Sequence, residues 1–343
     1  MMPKSLVIFF SLVPFISFGI CAERYKDSSF EIEKTSNLIY ASDVPFLTKK
    51  HFITSLAIGL GLPSDEVPSL YFYQNANEIT YENLYFDLYQ PKNDTTNDRP
   101  LVIVVHGGAF VSGSKNDLNQ PIIGYCDSLA ARGYVVASID YRVGLVLKDK
   151  KNQLFIDSLD FIRAVQWGVQ DLQGAIRFFK AHAEKYNINS KEIFIIGNSS
   201  GAILALHSAI ENVEQVKGIV SLWGATIDDA HIRNIATPIL LVHGTKDEVI
   251  PFAKGQMLNL DSIKMRNRLK SGYASAASAF NINFSSPFFY GSFVIDSILS
   301  KNRMAHDTYF FDGLGHDFYD REPYKTDVLQ RVVEFLYKYI QAE

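Results

Sequence analysis

Cysteine is nearly absent from this chain. Its 343 residues include only Cys21 and Cys126, so at most one disulfide can form and a disulfide-stapled scaffold is excluded. Cleavage near Ala22 would leave Cys126 alone. With no histidine near it in sequence, Cys126 reads as a small buried hydrophobe in a helix over Pro121 to Arg132 rather than as a nucleophile. An excess of one charge is missing too. Lysine and arginine number 33 against 37 acidic residues, for a net charge of −4, and the cations are scattered. No basic strip is available to track phosphates or an anionic membrane, so nucleic acid is not an expected partner.

Metal and cofactor signatures are also lacking. The eight histidines, His51, His106, His182, His207, His231, His243, His306 and His316, show neither H-E-x-x-H nor paired-cysteine spacing, and no metal is expected. Gly59-Leu60-Gly61 has no complete dinucleotide fingerprint and no convincing strand before it, so it reads as loop punctuation and no cofactor is expected.

Long apolar runs are confined to the N-terminus. Lys4, the run Leu6 to Ile20 and the small residues Gly19, Cys21 and Ala22 have the layout of a secretory signal peptide over residues 1–22, which predicts a periplasmic or secreted protein. The run is short for a span and holds Pro14, so no stable membrane span is expected after cleavage, with a retained N-terminal anchor as the alternative. Bulky Ile20 disfavours lipid modification at Cys21. Elsewhere, hydrophobic residues at 47% and charged residues at 20% fit one large globular domain.

Residues 23–77 show weak periodicity and cannot be placed from sequence, although they are long enough to wrap the domain. From Glu78 the pattern changes. Ile79, Tyr81, Leu84, Phe86 and Leu88 alternate with polar residues, predicting two antiparallel strands that open a sheet. Leu101 to Val105 and Tyr134 to Ile139 are continuous apolar runs of strand length, separated by helical pattern. The alternation continues through a helix Asp171 to Tyr186, a strand Ile193 to Ile196, a helix Ala202 to Ile210 and a strand Gly218 to Leu222. Strands Ile239 to Val242 and Thr308 to Phe311 and an amphipathic helix Val328 to Ile340 complete it. Strands apolar on both faces need cover on both, which predicts a mostly parallel sheet between two helical layers, with the site at the strand ends. Two segments interrupt this order: Arg142 to Val165, and residues 258–303 with the Ser- and aromatic-rich run Ser271 to Phe293. The second is a candidate lid, or else an elaborated surface segment.

Gly197-Asn198-Ser199-Ser200-Gly201 is a G-x-S-x-G directly between a predicted strand and a predicted helix. In that context the glycines allow strand and helix to approach around a strained turn that lifts the Ser199 hydroxyl above the sheet edge. His106-Gly107-Gly108-Ala109-Phe110 ends the strand Leu101 to Val105. Its glycines let backbone N–H groups turn toward a developing oxyanion together with the N–H of Ser200, while His106 and Gly107 read as support for that loop. Strand Ile239 to Val242 runs into His243-Gly244-Thr245-Lys246-Asp247, and strand Thr308 to Phe311 into Gly313-Leu314-Gly315-His316. Nucleophile, acid and base thus fall in the order Ser199, Asp247, His316, each at a strand end. Taken alone, Asp247 is a turn residue and His316 a loop histidine. Asp140, also after a strand, reads with Arg142 as a structural ion pair.

On these motifs, with Leu84 to Pro91 (LYFDLYQP), the Asp140-Tyr141-Arg142 triplet and the helix holding Asp171 to Phe179, the stretch from Glu78 to Ile340 resembles α/β-hydrolases of the esterase/lipase group, close to bacterial carboxylesterases. The resemblance implies an α/β-hydrolase fold, a mostly parallel twisted sheet of about eight strands with helices on both faces and a lid-like insertion. It implies Ser199 as nucleophile, His316 as base, Asp247 as acid, and Gly108, Ala109 and Ser200 as oxyanion donors. The implied chemistry is cofactor-free hydrolysis of a small-molecule carboxylic ester. Ala109 stands where many relatives carry a third glycine, and Val143-Gly144-Leu145 replaces the Leu-Ala-Pro run of the hormone-sensitive-lipase branch. The H-G-G-x-aromatic form is similar to that of kynurenine formamidases and of acetyl and feruloyl esterases. An amidase or peptidase with the same triad, and a non-catalytic binding protein on this fold, are the alternative expectations.

Overall fold

The structure, a computed structural model, describes residues 23–47, 49–51, 71–73, 79–117, 121–146, 148–150, 153–257, 283–316 and 318–341. Its centre is an eight-stranded sheet. In chain order the strands are β1 (Ile32–Leu47), β2 (Ile79–Pro91), β3 (Arg99–Val105), β4 (Val135–Ile139), β5 (Ile188–Asn198), β6 (Gly218–Leu222), β7 (Ile239–Gly244) and β8 (His306–Phe311). They lie side by side as 1-2-4-3-5-6-7-8. β1 pairs antiparallel with β2, and β2 antiparallel with β4, while every pairing from β4 to β8 is parallel.

Side chains alternate across a strand, and here both faces are covered. Leu101, Ile103 and Val105 of β3 join one core with helices α2 (Ser158–Ala181) and α3 (Ser200–Glu211), whereas Val102 and Val104 join a second core with α1 (Pro121–Ala130) and α5 (Tyr324–Gln341). Phe194 and Ile196 of β5 face the second core while Ile193 and Ile195 face the first. Helix α2 starts at the N-cap Asp157, whose carboxylate accepts from Leu159 N–H and Asp160 N–H, satisfying donors that the first turn leaves over. Phe161, Val165, Leu172, Ile176 and Phe179 form its buried stripe at helical spacing. A Cβ at Gly168 would lie 2.6 Å from the Leu204 side chain, so glycine permits the close packing of α2 on α3.

Two expectations change at the start of the fold. The alternating stretch 79–88 lies in one strand, not two, and besides β4 it pairs antiparallel with β1, which lies inside the segment 23–77 that had no sequence assignment. β1 was hidden because its period is broken. Register shifts fall between Thr35 and Leu38, Ile39 and Ala41, and Ala41 and Val44, and Asn37 and Asp43 take left-handed φ values of 59° and 54°, as bulges on edge strands do. The sheet therefore begins well before residue 78. Upstream of it, the Tyr25 ring packs at a tilt against Tyr134 and Arg24 pairs with Asp94 at 2.6 Å, tying the chain to the N-terminal ends of the parallel strands. The expected signal peptide 1–22 and Gly59-Leu60-Gly61 lie outside the described residues, and among those described no helix is long and apolar enough to cross a membrane.

The two interruptions are built into the body more than expected. Helix α2 starts at Ser158 rather than Asp171, and between it and β4 lie short strands at 145–146, 148–150 and 153–156. Of the candidate lid 258–303, residues 258–282 lie outside the described residues. The remainder is packed: 288–291 is the central strand of a small sheet with 225–226 and 254–256, and α4 (Ser292–Lys301) buries Ile295 and Leu299 beside β7 and β8.

The expected Asp140–Arg142 pair is replaced by another. Asp140 Oδ1 accepts from Lys115 N–H at 2.8 Å, and Arg142 pairs with Asp171 on α2 at 2.8 Å with both side chains buried. Arg142 N–H also donates to Asp171 Oδ2, and its guanidinium reaches Pro45 O at the end of β1. Sequence neighbours could not win here, because a guanidinium at the end of β4 reaches across to the helix covering it. Removing one partner of a buried pair leaves a charge without compensation, typically at about 3–5 kcal/mol. Asp171→Leu should therefore lower the urea-unfolding free energy by about that amount, and the double variant Arg142→Met/Asp171→Leu by less than the sum of the single losses. Additive losses in the unfolding cycle would show that the pair is not coupled.

Candidate active site

Strand order reverses around β3: β4 lies on one side and β5 on the other. Loops leaving β3 and β5 therefore part in opposite directions and leave a crevice at the carboxyl ends of the strands. Ser199 sits there, between β5 and α3, with φ 52° and ψ −120°. This is a strained conformation for a residue with a Cβ. The strain is held from both sides, since Ser199 N–H donates to Leu222 O of β6 and Ser199 O accepts from Ile203 N–H of α3. A Cβ at Gly197 would come 2.3 Å from Gly201 O, and one at Gly201 would come 2.2 Å from Val105 O and 2.6 Å from His106 O. Only glycine lets the first turn of α3 touch the end of β3, and this contact brings Ser200 N–H beside the His106 loop. As a first-turn amide, Ser200 N–H has no partner within the helix.

Three successive residues of that loop are left-handed: Gly108 (φ 121°), Ala109 (54°) and Phe110 (63°). Gly107 O lies 2.7 Å from His106 Nδ1, and Gly108 O accepts from Val111 N–H, Ser112 N–H and the Ser112 hydroxyl. In a trans peptide the N–H points opposite to the C=O. With both carbonyls turned into the loop, the N–H groups of Gly108 and Ala109 point out of it. His106 is buried and stacks on Tyr141 with ring centroids 4.4 Å apart, and burial lowers its pKa. The Tyr141 hydroxyl donates to His106 O at 3.0 Å and lies 3.2 Å from Ser200 Oγ, fastening the glycine loop to the elbow.

The remaining two groups arrive from β7 and β8, whose following loops are zipped together. Thr245 N–H donates to Phe311 O and Lys246 N–H to Leu314 O, while Gly313 N–H donates to Thr245 Oγ1. A Cβ at Gly244 would meet Leu314 O at 2.5 Å. This sets Asp247 Oδ2 2.7 Å from His316 Nδ1, and His316 Nε2 3.2 Å from Ser199 Oγ. The Asp247 side chain is fully buried, and its Oδ1 accepts from Val249 N–H and Ile250 N–H at 2.8 and 2.9 Å. Burial alone would raise its pKa. The charge of His316 and the hydrogen bonds from His243 and His316 outweigh that, and the carboxyl is held well below the usual carboxylate range. Because an ionised carboxylate only accepts, His316 carries its proton on Nδ1 and presents Nε2 to Ser199 as an acceptor.

All eight residues named from the sequence thus lie at the carboxyl ends of neighbouring strands. Ser199, His316 and Asp247 form one hydrogen-bonded chain; Gly107, Gly108, Ala109 and His106 line one loop beside Ser200. Three further residues escaped sequence reasoning. Tyr141 was visible only as part of a triplet. His243 precedes Gly244 in the strand leading to Asp247. Trp223, with φ 44°, follows β6, stacks on Tyr319 at 4.0 Å and meets the His316 ring edge-on at 6.4 Å. Cys126 is buried and unpaired, and burial raises its thiol pKa, which removes it from nucleophilic chemistry. Among the described residues no group of three or more His, Cys, Asp and Glu could hold a metal ion.

With this geometry in place, likeness to known proteins follows. A family model described as BD-FAE matches residues 86–221, and one described as Phospholipase/Carboxylesterase matches residues 168–275. Arylacetamide deacetylase-like 2 of Homo sapiens is 26% identical over 219 residues, covering 55% of this chain and 49% of that protein. Esterase-5A of Drosophila miranda is 24% identical over 198 residues, covering 56% of this chain and 32% of that protein. The chain thus spans half or less of the length of these relatives. Among solved structures, Thermogutta terrifontis esterase 2 phosphorylated by paraoxon superposes with a TM-score of 0.50 at 18% identity, covering 77% of this chain and 91% of that one. The structural likeness concerns the fold.

Under the elbow helix lies a titratable support. His207 of α3 is buried; its Nε2 accepts from Ile227 N–H and lies 3.1 Å from Thr226 Oγ1, tying α3 to the small sheet. Burial, only partly opposed by Asp228, pushes its pKa down to about 4. Its folded pKa is below the unfolded value of about 6.5, so its contribution is complete above that value and is lost as pH falls toward the folded pKa. Urea midpoints should drop between pH 7 and pH 5. His207→Gln, which keeps an acceptor, should flatten part of that slope, with His106 supplying a remainder of the same sign. An identical slope in the variant would remove His207 from the account.

Proposed function

The chain has the α/β-hydrolase fold and is esterase-like, and from that premise we propose that it hydrolyses carboxylic esters through an acyl-enzyme on Ser199. The observation that carries the reading is one imidazole bridging two partners: His316 stands 3.2 Å from Ser199 Oγ and 2.7 Å from Asp247 Oδ2. That is the arrangement a weak nucleophile needs from an adjacent base and its orienting acid. Names of the relatives point the same way. Export from the cytoplasm is part of the reading, supported by the pattern of residues 1–22.

Ser199 Oγ attacks the ester carbonyl as His316 Nε2 takes its proton, and Asp247 balances the imidazolium. The negative oxygen of the tetrahedral species accepts from the N–H groups of Gly108, Ala109 and Ser200. Collapse breaks the carbon–oxygen bond, and the alkoxide leaves as an alcohol carrying the proton from His316. Water, deprotonated by His316, then attacks the acyl group. The second tetrahedral species expels Ser199 Oγ, which regains a proton from His316, and the carboxylic acid departs. No step requires a metal or cofactor.

An organophosphonate probe should label the wild-type chain at Ser199 with loss of esterase activity, and Ser199→Ala should be folded, unlabelled and inactive. Near-normal activity in the pure variant would refute the assignment, and an unlabelled wild type would favour a binding protein on this fold. Matched ester and amide substrates decide the leaving group, faster turnover of the ester being expected.

The oxyanion loop has its own test. Ala109 already holds φ 54°, a conformation that glycine adopts more easily, so Ala109→Gly should keep near-normal turnover. Ala109→Pro deletes the N–H and demands φ near about −65°, and turnover should fall by at least ~10²-fold, the usual loss for one oxyanion donor. Equal activity of the two variants, or a phosphonate-bound structure with the phosphonyl oxygen more than about 3.5 Å from the N–H groups of both Gly108 and Ala109, would overturn this part.

A further inference from the structure

Asp247 has a second histidine. His243, the penultimate residue of β7, is fully buried, and its Nε2 lies 3.2 Å from Asp247 Oδ2, the same oxygen that accepts from His316. Nε2 also lies 3.3 Å from Ile250 O, and Nδ1 lies 2.8 Å from Ser292 Oγ. Carboxylate and carbonyl oxygens can only accept, so Nε2 must carry a proton. In a neutral imidazole Nδ1 is then the acceptor, and the Ser292 hydroxyl donates to it.

Ser292 is itself held firmly. It opens α4, where Gly291 N–H donates to Ala253 O and Phe293 N–H to Phe252 O. A Cβ at Gly291 would collide with Pro251 O, so α4 starts directly against the loop that carries Asp247. The described end of the 258–303 insertion therefore supplies the hydroxyl that holds His243 Nδ1 and with it the orientation of the ring.

We propose that His243, oriented by Ser292, is a positioning residue that shares the Asp247 carboxylate with His316 and thereby limits how strongly Asp247 raises the proton affinity of the base. This rests on the triad reading above. The physical basis is the division of one charge among donors. Asp247 accepts from His316, His243, Val249 N–H and Ile250 N–H. Each donor stabilises the anion and draws on the charge available to an imidazolium. Taking His243 away leaves more of that charge for His316, which then holds its proton more tightly. A base that stays protonated to higher pH loses activity over a wider acid range.

The groups around His243 leave few other sources for such a shift. Phe252 packs edge-on to its ring at 5.6 Å, and Phe252 in turn packs on Phe310 of β8. The α4 contact is the Ser292 hydroxyl. Ionisable groups on the joining loops are Lys246, Glu248 and Asp312, the last an acceptor from Thr245 Oγ1. On the elements beyond lie Asp296, which pairs with His306, and Asp307, which pairs with Lys338.

The test is the pH dependence of kcat/KM on a simple ester, with active sites counted by phosphonate labelling of Ser199. His243→Phe/Ser292→Ala removes both polar partners together, so neither is left buried alone. It should move the midpoint of the acid limb upward by about half a pH unit or more. His243→Gln, whose amide can still donate to Asp247, should restore most of the wild-type limb. Ser292→Ala alone, which leaves Nδ1 without its partner and loosens the orientation of the ring, should shift the limb in the same direction but less. A folded double variant with the wild-type midpoint overturns the proposal, leaving His243 a structural residue. If the double variant does not fold, an unchanged midpoint in Ser292→Ala overturns it equally. A chain that hydrolyses ester without labelling at Ser199 defeats the triad reading instead, which separates the two failures.

Discussion

A buried carboxylate imposes the strictest constraint on this structure. The Asp247 side chain has no access to water, and an anion there is tolerable only if donors surround it. Backbone amides of Val249 and Ile250 take one oxygen, and the imidazoles of His316 and His243 share the other. Each donor demands further structure. The amides need the tight turn after β7, His316 needs the β8 loop zipped to that turn, and His243 needs the start of α4. The strand pairing of β7 with β8, in register from Ile239 with His306 to Gly244 with Phe311, is what brings these pieces to one place.

A second constraint is steric and sits at the other end of the hydrogen-bonded chain. Ser199 can hold a left-handed φ only because β6 and α3 fasten its backbone on both sides, and α3 can start so close to β3 only because residues 197 and 201 lack a Cβ. The same closeness puts Ser200 N–H next to the glycine loop. Tyr141 then locks the two with one hydroxyl and a stacked ring. Strain at Ser199 and alignment of the neighbouring N–H groups thus have a common origin in one close approach of α3 to β3.

Much of this was legible in the sequence, unevenly and for identifiable reasons. The inner strands β3 to β7 carry apolar runs because both faces are covered, the edge strand β8 ends in the shorter run Tyr309 to Phe311, and such runs are readable without any partner. Ser199, Asp247 and His316 were readable because each follows such a run in an order the fold requires. β1 was not, because bulges at Asn37 and Asp43 break the alternation that identifies a strand. The partner of Arg142 was misjudged for a different reason: ion pairs form between neighbours in space, and Asp171 on the covering helix is nearer than Asp140 two residues away in sequence.

Local chemistry, then, was decided by the sequence alone. Apolar runs determine strands, glycines determine where backbone can approach backbone, and the residue types after each strand determine what reactions are available there. Tertiary structure decided which of those residues share a proton. Nothing in the spacing of His243, Asp247, Ser292 and His316 says that two imidazoles meet on one carboxylate oxygen, since that depends on how β7, β8 and α4 pack and on distances of 2.7 to 3.2 Å. Hydrogen bonds are that short-ranged, and periodicity along a chain carries no information at such a scale between segments dozens of residues apart.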